Sequence, residues 1–298
     1  MNELTCFAPA KLNLFLHIIG RRPDGYHLLE TVFRFVDFGD TLHLRRREDG
    51  RIVRTQSLEA VPEEQDLCMR AARLLQHRSG VRLGAEIALD KRLPMGGGLG
   101  GGSSDAASVL LGLNRLWSLD WSRSRLQDLA LELGADVPVF VFGLNAYAQG
   151  IGEILHAVEL PQSWYLVLIP PVQVSTAKIF AHAQLTRDGK AIKITDFSGG
   201  GKAAATLTGS DRLDAGKLWR ETRNDLQAVV CKEYPAVAEC LAWLGAYAEA
   251  RMTGSGACVF AEFRDEAAAR RIFAAKPAAM RGFVARGLDR HPQYEYAV

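Results

Sequence analysis

The chain has 298 residues, 36 Lys and Arg against 34 Asp and Glu, and a formal net charge of +2. Hydrophobic residues make up 48% and charged residues 23%, a globular composition that excludes disordered, collagen-like and disulfide-scaffold classes. A near-neutral balance gives no electrostatic footprint for nucleic acid or a membrane surface, so neither is expected as a partner.

The longest uncharged run, Leu160–Ala177, contains Pro161, Pro170 and Pro171, which argues against a membrane-crossing helix. The first residues, Met1–Lys11, show no apolar core of a secretory signal, and a cytoplasmic location is expected. Five scattered cysteines form no CxxC pair, and the histidines form neither HxH nor HExxH, so no permanent metal site is expected.

Lys11–Ile19 alternates like a strand, and Thr31–Phe38 is rich in β-branched and aromatic residues. The Pro-Asp-Gly of Gly20–His27 is turn chemistry between them. Thr41–Arg54 reads as a further exposed strand or hairpin, with Arg45–Arg47 on its solvated face. Leu67–His77 is helical in pattern and Val81–Leu93 extended. In Asp105–Trp117 the apolar Ala106, Val109, Leu110, Leu113 and Leu116 recur at helical spacing, which predicts an amphipathic helix. A second helix spans Arg123–Leu133 and stops at Gly134.

Beyond a boundary near Pro161, Trp164–Ile169 reads as a buried strand. Lys190–Gly216 reads as a polar surface excursion, and Ala236–Ala250 as a helix. Met252–Phe263 runs from loop into strand, and Asp265–Ala275 is helical. Strands and helices cluster rather than alternate, so the expectation is α+β with mainly antiparallel sheets, in two domains at 1–159 and 160–298.

Between the strand and helix patterns lies Pro94-Met95-Gly96-Gly97-Gly98-Leu99-Gly100-Gly101-Gly102-Ser103-Ser104. Six glycines in eleven residues cost backbone entropy, and they let another backbone or a ligand come close. A helix N-terminus that follows such a loop, here at Ser103-Ser104-Asp105, is an anion site, with phosphate the expected anion. A Walker A loop requires a lysine after the glycines, and none follows. Gly96, Gly98 and Gly101 match G-x-G-x-x-G, but Asp120, near the acidic position, lies in a turn between helices rather than at a strand end. A plain glycine linker is the remaining bland reading.

The loop and the residues after it, through Ala107, resemble the ATP loop of the GHMP kinases. Its longer Gly-Leu-Gly-Gly-Gly-Ser-Ser form resembles the branch that acts on 4-(cytidine 5′-diphospho)-2-C-methyl-D-erythritol. Ala8–Leu16 with Arg22–Thr31 resembles the N-terminal signature of that branch, and Met252–Cys258 resembles the superfamily's third motif. Asn224-Asp225-Leu226 fits as well.

The resemblance implies a two-domain fold with the active site in a cleft between domains. It also implies ATP as phosphoryl donor with accompanying Mg2+, and a small-molecule substrate carrying cytidine diphosphate. Pro94–Ser104 would hold ATP, and Gly254, Ser255 and Gly256 would close over the phosphates. Asp136 would be the catalytic acid/base and Lys11 its partner at the hydroxyl; from the residues alone, Asp136 could equally cap a short helix from Val137, and Lys11 could be a solvated strand lysine. Tyr26 and His27 would form the cytidine pocket, Asn13 would touch the substrate, and Phe180 would be a second stacking wall, unless it is a core residue. Two competing readings remain. One is a GHMP kinase for another small alcohol such as homoserine or mevalonate, which offers no base to stack. The other is a non-catalytic nucleotide-binding regulator, which would not need Lys11 and Asp136.

Overall fold

The computed structural model describes residues 1–55, 61–187, 189–197 and 212–297. Two long strands, β1 (Glu3–Arg21) and β2 (His27–Arg47), form its antiparallel spine. The two strands expected around Gly39 are one. Gly39 permits this because a Cβ there would stand 2.1 Å from the carbonyl oxygen of Ala8 on the neighbouring strand.

The N-terminal part continues with β3 (Ile52–Arg54), α1 (Leu67–Ser79), β4 (Gly84–Asp90), α2 (Gly101–Leu116), α3 (Arg123–Leu131), α4 (Val137–Phe142), β5 (Ala146–Gln149) and β6 (Ile154–Ala157). The C-terminal part supplies β7 (Trp164–Ile169), α5 (Thr176–Phe180), α6 (Ala215–Glu221), α7 (Gln227–Glu233), α8 (Pro235–Gly245), β8 (Ala250–Met252), β9 (Val259–Phe263), α9 (Glu266–Ala274) and β10 (Arg281–Leu288). The expected excursion at 190–216 lies outside the described residues over 198–211. Among the described residues, no helix is long and apolar enough to cross a membrane.

The strand order β3-β4-β2-β10-β7-β9-β8 makes a single hydrogen-bonded sheet, antiparallel except where β3 meets β4. The C-terminal β10 joins the halves, pairing with β7 and, at Gly287 and Leu288, with Val36 and Phe35 of β2. The chain then folds back onto the N-terminal half, where Asn114 and Arg123 donate to the carbonyls of Tyr296 and Ala297.

One apolar core packs α1–α4 against β1, β2 and β4, through Met69, Leu75, Leu110 and Phe140. A second, with Leu12, Phe15, Tyr165 and Phe260, fills the junction. A third, with Leu166, Val230 and Leu244, lies under α7 and α8.

Helix α2 departs from the amphipathic expectation. Every residue from Ser104 to Asn114 is buried, because the sheet covers one side and α1, α3 and α4 cover the other. A helix enclosed in this way needs no polar face.

Strand β1 positions the site because it pairs only with β2 and leaves one edge open. Such an edge must be covered. Here the N–H of Lys11 donates to Leu99 O (3.0 Å), that of Asn13 to Thr253 Oγ1 (2.9 Å), that of Leu16 to Arg223 O (3.0 Å) and that of Ile18 to Asp225 Oδ2 (2.9 Å). Three distant segments are thereby fastened along a single strand.

Candidate active site

Residues two apart on a strand share a face, so Lys11 and Asn13 project together, opposite Ala10, Leu12 and Leu14, which face the junction core. Lys11 is 2% exposed, which rules out the solvated-lysine reading. Its Nζ donates to Asn13 Oδ1 at 2.6 Å and lies 3.3 Å from Asp136 Oδ2. Asn13 Nδ2 in turn donates to Thr31 Oγ1 at 2.9 Å. Asp136 occupies the cap position of α4, yet its side chain caps nothing. The carboxylate is directed to Lys11 and to the cleft instead, so the capping alternative fails.

The glycine loop runs from Pro94 into α2, which begins at Gly101, four residues earlier than its apolar spacing suggests. Its cap is Gly100, at φ +71°, with no side chain closing the first turn. Neither Ser103 nor Ser104 caps the helix. The first amides and the positive end of the dipole are left for an anion in the cleft, which Gly100, Gly101, Gly102 and Ser103 line. Ser104 does not line it: this serine is buried, and its hydroxyl donates to Pro9 O at 2.7 Å.

A backbone approach explains Gly98. At φ +75°, a Cβ on Gly98 would stand 2.3 Å from Thr253 O, and a Cβ on Gly254 would stand 3.1 Å from Gly98 O. The loops at 94–100 and 253–258 thus lie backbone against backbone, with Cys258 N donating to Gly97 O at 3.0 Å. Gly254, Ser255 and Gly256 all line the cleft.

The cleft has a volume of about 1090 Å³. Tyr26, His27 and Phe180 line it as well, with Tyr26 59% exposed and His27 buried. The rings of His27 and Phe180 are 5.0 Å apart at 34°. Burial, then the guanidiniums of Arg187 and Arg21, lower the pKa of His27. Phe180 also packs against the third core, so it serves the core and the cleft together.

Several residues here escaped the sequence reading. Asn224, within a motif that was noticed, has a role that was not: its Nδ2 donates to Met252 O and Gly254 O, each at 2.8 Å, and so ties down the second glycine loop. Thr253 bonds both Asn13 and the carbonyl of Gly98. Lys91 sits behind the first loop between two buried carboxylates, Asp40 and Asp105, at 2.6 Å from each. Burial raises the pKa of Asp105 against the pull of Lys91. A lysine three residues before a glycine loop was a readable signal; its partners, 51 and 14 residues distant, were not. Cys68 lines the cleft, but burial lifts its thiol pKa, which removes it as a nucleophile. Arg45–Arg47 are paired with Glu86, Glu48 and Asp49, away from the cleft.

Residues 66–144 match the GHMP kinases N terminal domain, and residues 203–281 match the GHMP kinases C terminal family. The chain is 58% identical to the 4-diphosphocytidyl-2-C-methyl-D-erythritol kinase of Thiobacillus denitrificans over 97% of each chain. It is 57% identical to the enzyme of that name from Nitrosospira multiformis, covering 99% of this chain and 95% of that one. A crystal structure of 4-(cytidine 5′-diphospho)-2C-methyl-D-erythritol kinase superposes with TM-score 0.78 at 31% identity, over 95% of this chain and 99% of the other. A mevalonate kinase crystal structure shares the fold, with TM-score 0.68 at 13% identity over 96% and 99% of the two chains. The chain belongs to the GHMP kinases and, within them, to the 4-diphosphocytidyl-2-C-methyl-D-erythritol kinases.

Proposed function

We propose that this chain transfers the γ-phosphoryl group of ATP to the 2-hydroxyl of 4-(cytidine 5′-diphospho)-2-C-methyl-D-erythritol, with Lys11 and Asp136 at the reacting hydroxyl. This is a step of the methylerythritol phosphate route to isoprenoid precursors. The observation that carries the assignment of roles is the placement of this pair. Nζ and the carboxylate stand 3.3 Å apart, and the cleft they line also holds the uncapped end of α2 and the Tyr26–His27–Phe180 wall.

Phosphoryl transfer needs alignment and charge neutralisation more than covalent help. The free amides of Gly101, Gly102 and Ser103 receive phosphate oxygens, and the loop at 254–256 covers them. Lys11, buried and held by Asn13, stabilises negative charge as it develops on the acceptor oxygen. Asp136 accepts the proton of the hydroxyl or its hydrogen bond, and is placed for either because it caps no helix. Tyr26 and Phe180 stack on the cytosine, and His27 and Asn13 orient the substrate.

Mg2+ takes oxygen donors and keeps several waters, binding through one or two protein groups and the nucleotide phosphates. Among the oxygens lining this cleft, the hydroxyl of Ser103 in the first turn of α2 fits that description and would hold it. Bound there, it would supply charge neutralisation on the phosphates.

The division at 1–159 and 160–298 is supported by the two family matches, one on either side of it, with β10 and residues 289–297 returning to the first part. The five free cysteines suit a reducing, cytoplasmic setting. The test is phosphorus NMR of product formed from ATP with the cytidine substrate, homoserine or mevalonate. Turnover of the cytidine substrate alone is expected, and comparable turnover of homoserine would reverse the substrate assignment.

A further inference from the structure

His27 opens β2 opposite Arg21 of β1, and its ring is held in two ways. Phe180, the last residue of α5, packs its ring on the imidazole. At the imidazole edge, Arg187 Nε donates to Nε2 over 3.2 Å. The same guanidinium donates from Nη1 to Leu185 O at 3.1 Å, and from Nη2 to Phe180 O at 3.1 Å and His182 O at 2.8 Å. Four of its five N–H groups are thereby engaged, and a planar fork bonded at so many points has no rotational freedom left.

This geometry determines the state of the imidazole. A guanidinium is always protonated and can only donate, so Nε2 must be the acceptor. A neutral imidazole with an acceptor at Nε2 carries its proton on Nδ1. No hydrogen bond among the described residues uses that Nδ1–H.

We infer that Arg187 is a positioning residue of the base pocket, which locks His27 as the Nδ1–H tautomer and seats Phe180 by gripping the chain at the end of α5. The pocket then offers one ring donor beside an aromatic face, which suits a pyrimidine edge bearing acceptors. The inference rests on the reading of Tyr26, His27 and Phe180 as the cytosine pocket. Arg187 acts through His27 and α5 and is not itself a substrate contact on that reading.

The charges facing His27 are Arg187 and Arg21, while Asp24 in the adjoining turn is bonded to Arg22 at 2.8 Å. Burial and the two guanidiniums together favour the neutral ring that the fork requires. Protonation would set an N–H at Nε2 against the N–H of Arg187 and break the arrangement. Substrate binding should therefore weaken as pH falls through the lowered titration of His27, and that titration should rise once Arg187 is removed.

The experiment combines nitrogen-15 NMR of the His27 ring, assigned with His27→Gln, with kinetics of Arg187→Met and Arg187→Lys. The full chain should show the Nδ1–H tautomer, and a wild-type Nε2–H tautomer would overturn the inference with no variant needed. In Arg187→Met the KM for the cytidine substrate should rise about tenfold, the scale of losing a charge-assisted hydrogen bond, while the KM for ATP stays within about twofold. The acid limb of kcat/KM for that substrate, and the NMR titration, should both move to higher pH. Arg187→Lys should keep the titration low through its charge yet leave KM raised, because an ammonium cannot make the four bonds. An unchanged tautomer and titration in Arg187→Met would refute the tie, even with Tyr26→Ala still raising the substrate KM. If Tyr26→Ala has no such effect while the NMR behaves as stated, the pocket reading fails and the tie stands.

Discussion

Replacing Asp136 with Asn separates catalysis from stability at the reacting pair. The change keeps the size of the side chain but removes its charge and its basic oxygen. Assistance by a positioned base is worth about 10²–10⁴-fold, or roughly 2.7–5.4 kcal/mol of barrier, so kcat should fall by that range. The fold should hardly register the change. The Asp136 side chain is 42% exposed, caps nothing, and makes one ion pair at 3.3 Å. The carboxylate end is open to solvent and the buried Lys11 keeps Asn13 Oδ1 as an acceptor, so the loss should lie near the top of the exposed-pair range, about 1 kcal/mol, which moves Tm by about 2–4 °C.

Lys11→Met is the complementary change. It strands Asn13 Oδ1, at a cost of about 1–3 kcal/mol, but relieves the burial of a cation, and these two effects roughly offset. Its kcat should drop through lost stabilisation of the acceptor oxygen. If both groups act on a single hydroxyl, the double variant should lose much less than the product of the single losses. Steady-state kinetics with both substrates, nucleotide binding and thermal melts on the three variants supply the measurements. Near-normal turnover in Asp136→Asn would refute the base assignment, and a Tm loss above about 5 °C would show that the carboxylate is a structural group.

Gly98→Ala should lower Tm and ATP affinity together, because its Cβ would meet Thr253 O at 2.3 Å from a left-handed backbone; Gly101→Ala, whose Cβ would meet only side-chain atoms, Lys91 Nζ at 3.1 Å and Leu93 Cβ at 3.2 Å, should lower Tm less than Gly98→Ala does. A native Tm in Gly98→Ala, read by scanning calorimetry, would contradict the packing of the two loops. Tyr26→Ala should raise the KM for the cytidine substrate about 5- to 150-fold, the range of a lost base–aromatic stack of about 1–3 kcal/mol, with unchanged Tm and ATP KM since the ring is 59% exposed. Asn224→Ala should cost about 1–3 kcal/mol and raise the ATP KM by freeing the loop at 254–256. Asn224→Asp should be worse on both counts, because it turns an oxygen toward those carbonyls; a milder Asp variant would show that the amide does not hold the loop.

Much of the fold was readable from local chemistry. Alternation at Lys11–Ile19, the run Trp164–Ile169 and the helical spacing at 67–77 and 123–133 each matched an element, because period and turn residues act over short range. The short helices α6 and α7 were not foreseen, since seven residues carry too little periodicity. The start of α2 was misplaced because apolar spacing marks only where a helix is packed. Gly101 and Gly102 are helical through the packing behind them, against their own propensity.

The site divides along the same line. Residue types and a resemblance picked out Lys11, Asp136, the glycine loops and the Tyr26–His27 pair, since their chemistry is unusual for their surroundings. Their partners are a different matter. Whether Asp136 caps a helix or faces Lys11, whether Ser104 meets a phosphate or Pro9, and whether Gly98 makes room for a ligand or for Thr253 all depend on contacts between residues about 95 to 155 positions apart. Asn224 and Arg187 take their roles the same way, from carbonyls and a ring that other segments deliver. A side chain's identity states what it can donate or accept; the packed sheet, by bringing β1's open edge against three distant loops, selects the partner.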